Sequence, residues 1–100
     1  LIVNNLKENI IDINIDEIIY YITEREVHIK TDKNTLLIFN IDSDIKEQIE
    51  KVSIFNKEKL NINKNPLVYV DLRILNKVFY CTTENEYQCI KNLKSIYSYE

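Results

Sequence analysis

The chain has 100 residues, 45% hydrophobic and 29% charged, with a net charge of −3. That suffices for one domain with a modest core, is too short for two, and is too apolar for a disordered segment. No apolar run approaches the ~20 residues of a bilayer span, and Leu1-Ile2-Val3 passes at once into Asn4, Asn5, Lys7 and Glu8, which argues against a signal peptide.

The absence of Met reads as a domain cut from a longer chain. There is no glycine, while Ile, Asn and Lys abound, a usage that points to an AT-rich bacterial coding sequence. Tight turns must therefore use Asn or Asp, which best tolerate positive φ. Charge is unevenly placed. Residues 1–50 carry five Lys/Arg against eleven Asp/Glu, a balance of −6, and residues 51–100 carry eight against five, or +3. A weakly basic half on an acidic body is compatible with one face meeting phosphate.

In chain order, Ile11, Ile13 and Ile15 alternate with Asp12, Asn14 and Asp16, the period of a half-buried strand. A denser run from Ile18 to Ile22 ends at Thr23-Glu24-Arg25-Glu26. Alternation resumes from Val27 to Thr31, Asp32-Lys33-Asn34 reads as a hairpin turn, and Thr35 to Ile41 as its return strand. Ile41, Ile45, Ile49 and Val52 then form the stripe of the central helix. Asp42 or Asp44 can cap it, and Asp44 with Glu47 fits a capping box. Strands follow at Leu60–Asn63, Leu67–Val70 and Ile74–Thr82, with Pro66 marking a strand start or edge. Thr83 to Glu86 turns the chain into a strand around Tyr87–Ile90, and residues 91–97 form a short terminal helix or turn.

Catalytic signals are sparse. Without glycine no phosphate-cradling loop can form. The single histidine, His28, alternates opposite Val27 and Ile29, which places it at a solvent-exposed or rim position. Asp12, Asp16 and Glu17 read as a solvated strand face rather than a metal site. Cys81 and Cys89 lack zinc or CxxC spacing and suggest a reducing, cytoplasmic setting. A three-residue loop at Glu84-Asn85-Glu86 would set them opposite one another, able to oxidise; a one-residue slip would put them on opposite faces. Buried thiols are the default reading. Tyr20, Tyr21, Tyr69, Tyr80 and Tyr87 fall in strand-like runs, where aromatics fill cross-strand positions rather than stack on bases. The expectation is a protein that is not an enzyme and holds no cofactor.

Three segments carry a family resemblance. Asp16-Glu17-Ile18-Ile19-Tyr20-Tyr21 looks like an acidic-then-apolar entry strand. Ile62-Asn63-Lys64-Asn65-Pro66-Leu67-Val68 looks like a loop-and-strand signature, and Thr83 to Ile96, ending Lys91-Asn92-Leu93-Lys94-Ser95-Ile96, like a closing hairpin and helix. Together they resemble the LytTR DNA-binding domains of accessory-gene-regulator-type response regulators, over about residues 10–97. The resemblance implies a mainly β fold: small antiparallel sheets in an elongated sandwich, with one central helix and a short C-terminal helix. It implies sequence-specific binding of double-stranded promoter DNA by loops, as the output domain of a cytoplasmic, bacterial two-component transcription regulator. Asn63, Lys64, Asn65, Lys91, Asn92 and Arg25 would contact DNA, and Lys57, Lys59, Lys77 and Lys94 phosphate. Asn can pair with adenine, and Lys can reach guanine acceptors or phosphate. A receiver or sensor domain would precede the chain, and two copies would pair on promoter repeats, with a monomer in isolation and no membrane contact. The sequence also departs from the pattern. Asn61 and Asn63 stand where the family shows Arg and His, Tyr69 replaces its Asn, and neither arginine falls in the Asn/Lys loops. The alternative is a degenerate protein-interaction or signalling module without DNA binding.

Overall fold

A computed structural model describes residues 2–10, 12–65 and 67–96. The elements are α1 (Ile2–Asn9), β1 (Ile15–Tyr21), β2 (Glu26–Thr31), β3 (Leu36–Asn40), α2 (Ile45–Glu58), β4 (Leu67–Asp71), β5 (Phe79–Thr82), a 3-10 turn (Thr83–Asn85) and α3 (Glu86–Ile96). Ile11, Pro66, Tyr97 and Tyr99 lie outside the described residues, as do the side chains of Asn92, Leu93, Lys94 and Ile96.

The strands form one sheet in sequence order, antiparallel except for the parallel pair β3 and β4. Parallel neighbours require a crossover, and α2 supplies it. The domain is a small α/β unit with extents of 33 × 31 × 26 Å. That corrects the expected set of small antiparallel sheets in an elongated sandwich. The reason is α2 itself, whose buried Ile49, Val52 and Phe55 need a broad apolar sheet face to cover them.

Register decides which residues make that face. Val27 lies opposite Phe39, Ile29 opposite Leu37, and Leu37 opposite Val70. Leu6 of α1 joins Ile49, Val52 and Phe55 against them in one buried cluster. The intervening residues point the other way: Ile19 pairs with His28, His28 with Ile38, and Ile38 with Asp71.

The hairpin turn at residues 32–34, the two strands flanking it and the central helix are as expected, except that Ile41, expected on the helix stripe, lies exposed in the turn before the cap. Asp44 caps α2, its Oδ1 accepting the amides of Lys46 (2.9 Å) and Glu47 (3.4 Å). Turns without glycine do fall to Asp12, Asn34 and Asn76, at φ of 67°, 63° and 60°, with Arg25 (58°) the exception. Other boundaries are corrected. The first strand begins only at Ile15, with Ile13 buried in the preceding turn. Residues 60–63 form no strand but lead into a turn at 62–64, and the strand expected from Ile74 shrinks to β5. The segment Tyr87–Ile90 is helical, part of α3. Four residues are too few to separate a period of 2 from one of 3.6. The sequence reading also passed over α1, although Ile2, Leu6 and Ile10 are spaced by four.

Candidate functional site

Strand direction decides which of the proposed DNA-contacting residues can meet. Because β3 and β4 run parallel, residues 61–65 before β4 share an end of the sheet with the 32–34 turn before β3. The hydroxyl of Thr35 donates to the carbonyl of Leu67 at 3.1 Å and ties these segments together. Residues 22–25, before β2, lie at the other end beside the 74–77 turn after β4. A five-residue strand separates the ends by roughly 17 Å. Arg25 and Lys77 are therefore apart from Lys64. Arg25 is also engaged, with Nε 2.6 Å from Oδ2 of Asp42 on the surface.

Lys57, Lys59 and Lys64 lie in the last turn of α2 and the loop that follows, all exposed. The carboxamides around them largely serve the loop. Asn56 Oδ1 accepts the amide of Ile62 at 2.8 Å, and Asn61 Oδ1 that of Asn63 at 2.9 Å. Asn65 Nδ2 donates to the carbonyl of Asn61 at 2.9 Å. Asn63 and Asn65 are half-buried, so Lys64 is the exposed tip of this loop. Lys91 is exposed on α3 rather than in a hairpin loop.

The sheet face turned away from α2 holds a charged cluster that the sequence reading missed. Arg73, just past β4, donates from Nε to Asp71 Oδ1 (2.8 Å), from Nη2 to Asp71 Oδ2 (2.6 Å) and from Nη1 to Glu26 Oε2 (2.5 Å). His28 Nε2 lies 3.1 Å from Glu26 Oε1, with the Tyr21 ring 4.5 Å away. His28 is only 3% exposed, which corrects its expected rim position. Burial lowers the pKa of His28, against the opposing hydrogen bond and charge of Glu26. Burial also disfavours the charge on Arg73, but its bonds to Asp71 and Glu26 outweigh that and raise its pKa. Tyr69 is raised by burial and by the Asp71 charge. A legible signal existed: Tyr69, Asp71 and Arg73 alternate onto one face, as do Glu26 and His28. Enclosed and mutually bonded, these groups fasten β2 to β4 across Ile38.

On the opposite side, α2 and β5 border an open cleft of about 400 Å³. Ile54, Phe55, Val78 and Tyr80 form its apolar walls, and Phe55 and Tyr80 hold their rings 5.2 Å apart. Among the described residues, Lys59 and Lys51 are the charged ones in its lining. The Lys51 ammonium donates to three carbonyls, of Leu72 (2.8 Å), Ile74 (2.7 Å) and Lys77 (3.1 Å). Burial lowers its pKa, opposed by Glu47 and Asp71.

Cys81 and Cys89 are joined in a disulfide, their Cα atoms 6.0 Å apart. This corrects the reading as buried thiols. Cys89 sits on α3, which returns over β5 in place of the expected hairpin. The bond also removes the argument for a reducing compartment, because disulfides persist in oxidising ones. Among the described residues no helix is long and apolar enough to cross a membrane.

No protein-family model matches this sequence, and neither a curated protein nor a solved structure is detectably similar to it.

Proposed function

We propose that this domain is a protein-interaction module that receives an extended partner segment along the outer edge of β5. The observation that carries this reading is the contrast between the two edges of the sheet. β1 is guarded: it exposes Asp16 and Glu17, and its register with β2 shifts at that point. Charge and irregularity of this kind discourage strand addition. β5 also has an irregular ladder, shifting against β4 between Leu67 and Tyr69, but it lacks the charge. Its four residues, Phe79-Tyr80-Cys81-Thr82, carry no charge, and Phe79 and Tyr80 are 49% and 40% exposed. A strand added there would gain main-chain hydrogen bonds, and alternate side chains would reach the cleft beside Tyr80. Lys59 at that cleft favours a partner carrying an acidic residue. The disulfide suits this reading in an oxidising compartment.

The test is site-specific photocross-linking in cells that make the full-length protein. A benzophenone side chain at Tyr80 should trap one discrete protein, whereas the same probe at Tyr20 on the guarded edge should trap none. Equal labelling at both sites, or none at Tyr80, would refute the reading.

A second reading keeps the LytTR-like output domain: cytoplasmic, preceded by a receiver, and pairing on promoter repeats. The exposure of Lys57, Lys59 and Lys64 at the end of α2 and in the loop after it favours it, as phosphate-contacting cations. On this reading Lys64 and Lys91 contact DNA. Affinity for AT-rich duplex should fall steeply with salt, and Lys64→Ala should weaken binding and flatten that dependence. Salt-independent or undetectable binding would dismiss it. Neither reading calls for catalysis or a cofactor.

A further inference from the structure

We propose that the Cys81–Cys89 bond is an exchangeable latch: opening it releases α3 from the sheet and loosens the β5 edge. The inference rests on β5 being the partner-binding edge, and its test separates the two ideas.

The bond joins unequal partners. Cys81 is 1% exposed beneath the sheet surface, whereas Cys89 is half-buried on a helix whose described side chains on either side of it, Glu86 to Gln88 and Lys91, are exposed. Of the described side chains at the start of α3, none is fully buried, and Tyr87 is 81% exposed. Apolar burial therefore holds residues 86–91 of α3 weakly, and the covalent link carries the attachment of that stretch. Elements with few buried contacts open at low free-energy cost. β5 is poorly secured as well. It is four residues long, and its ladder with β4 is irregular between Leu67 and Tyr69. Freed from α3, β5 loses the helix bonded to its Cys81 through Cys89.

The chemistry is thiol–disulfide exchange with a dithiol reductant. Its thiolate attacks the accessible Cys89 Sγ, and Cys81 leaves as a thiolate that takes up a proton. The second thiol of the reductant then attacks the mixed disulfide and releases Cys89. The protein gains two electrons and two protons, and the reductant departs as its own disulfide.

Hydrogen exchange on the full chain, before and after a small dithiol under native conditions, tests the proposal. Reduction should speed exchange of α3 amides by about ten-fold or more, with β5 following and β2 and β3 unchanged. Cys89→Ser should reproduce the reduced pattern without reductant, and photocross-linking from Tyr80 should fall in parallel. Unchanged α3 exchange after reduction verified by alkylation would overturn the latch, as would a bond that resists the dithiol until the chain unfolds. Faster α3 exchange with undiminished cross-linking would overturn its coupling to the edge. Absent cross-linking in the oxidised protein would instead strike at the binding reading alone.

Discussion

Arg73 grips Asp71 at both carboxylate oxygens, Nε to Oδ1 at 2.8 Å and Nη2 to Oδ2 at 2.6 Å, with only Leu72 between them in sequence. Extended backbone puts residues two apart on one side, so the fork closes locally while Leu72 enters the core. The third donor, to Glu26, turns this local clasp into a tie between β4 and β2.

Removing the cation should leave Asp71 and Glu26 facing one another below the surface. Arg73→Met is expected to cost about 3–5 kcal/mol, because breaking a buried pair strands its partner charge. Arg73→Lys should recover only part of this, since an ammonium cannot match the fork. Urea unfolding midpoints of the three proteins measure it. A midpoint for Arg73→Met near the parent's would show that the cluster contributes little.

His28 makes stability depend on pH in a definite direction. Its folded pKa lies below the ordinary 6.5, chiefly through burial, so the unfolded chain protonates first. Its contribution is complete above 6.5 and is lost as pH falls from there through the lower folded value. His28→Gln should flatten this part of the profile while keeping the carboxylate losses common to both proteins. The same slope in variant and parent between about pH 7.5 and 5.5 would assign the dependence elsewhere.

Asp44 offers a smaller, cleaner measurement. It is exposed, and its carboxylate accepts two first-turn amides of α2. Asp44→Ala should cost about 1 kcal/mol, and Asp44→Ser should restore most of it. Equal losses in both would mean that the charge, not the capping geometry, matters.

How much of this was legible beforehand depends on segment length. The 32–34 hairpin turn and α2 were readable because two strands and fourteen helical residues repeat their periods several times. Residues 87–90 were too few to declare a helical period, and misplacing them tied the pairing of Cys81 with Cys89 to a hairpin register instead of to a helix that follows β5. The parallel neighbouring of β3 and β4 is a long-range choice that no local pattern encodes. That choice separates Arg25 and Lys77 from Lys64, so these cations do not share the single phosphate-meeting face that the charge pattern suggested. His28 was misjudged because a polar strand face was equated with solvent, although Glu26, Asp71 and Arg73 were available to bury beside it.

Lys51 adds three hydrogen bonds to a turn that closes with one of its own, from the Lys77 amide to the Ile74 carbonyl at 3.2 Å. The 72–77 segment leaves β4 with no glycine to tighten it, and carbonyls of Leu72, Ile74 and Lys77 converge on one ammonium from the middle of α2. Lys51→Met retains the aliphatic stem but withdraws all three donors. Water can reach the outer carbonyls, so the expected cost is about 1–3 kcal/mol rather than a multiple of it. The loss should appear as a lower urea midpoint with an unchanged slope, together with faster amide exchange confined to residues 72–78. Because this turn feeds Val78 and Tyr80 into the cleft wall, the same variant should weaken partner capture at Tyr80 while α3 remains protected. Wild-type stability and exchange in Lys51→Met would show that solvent satisfies these carbonyls equally well, and that the turn holds its shape without the lysine.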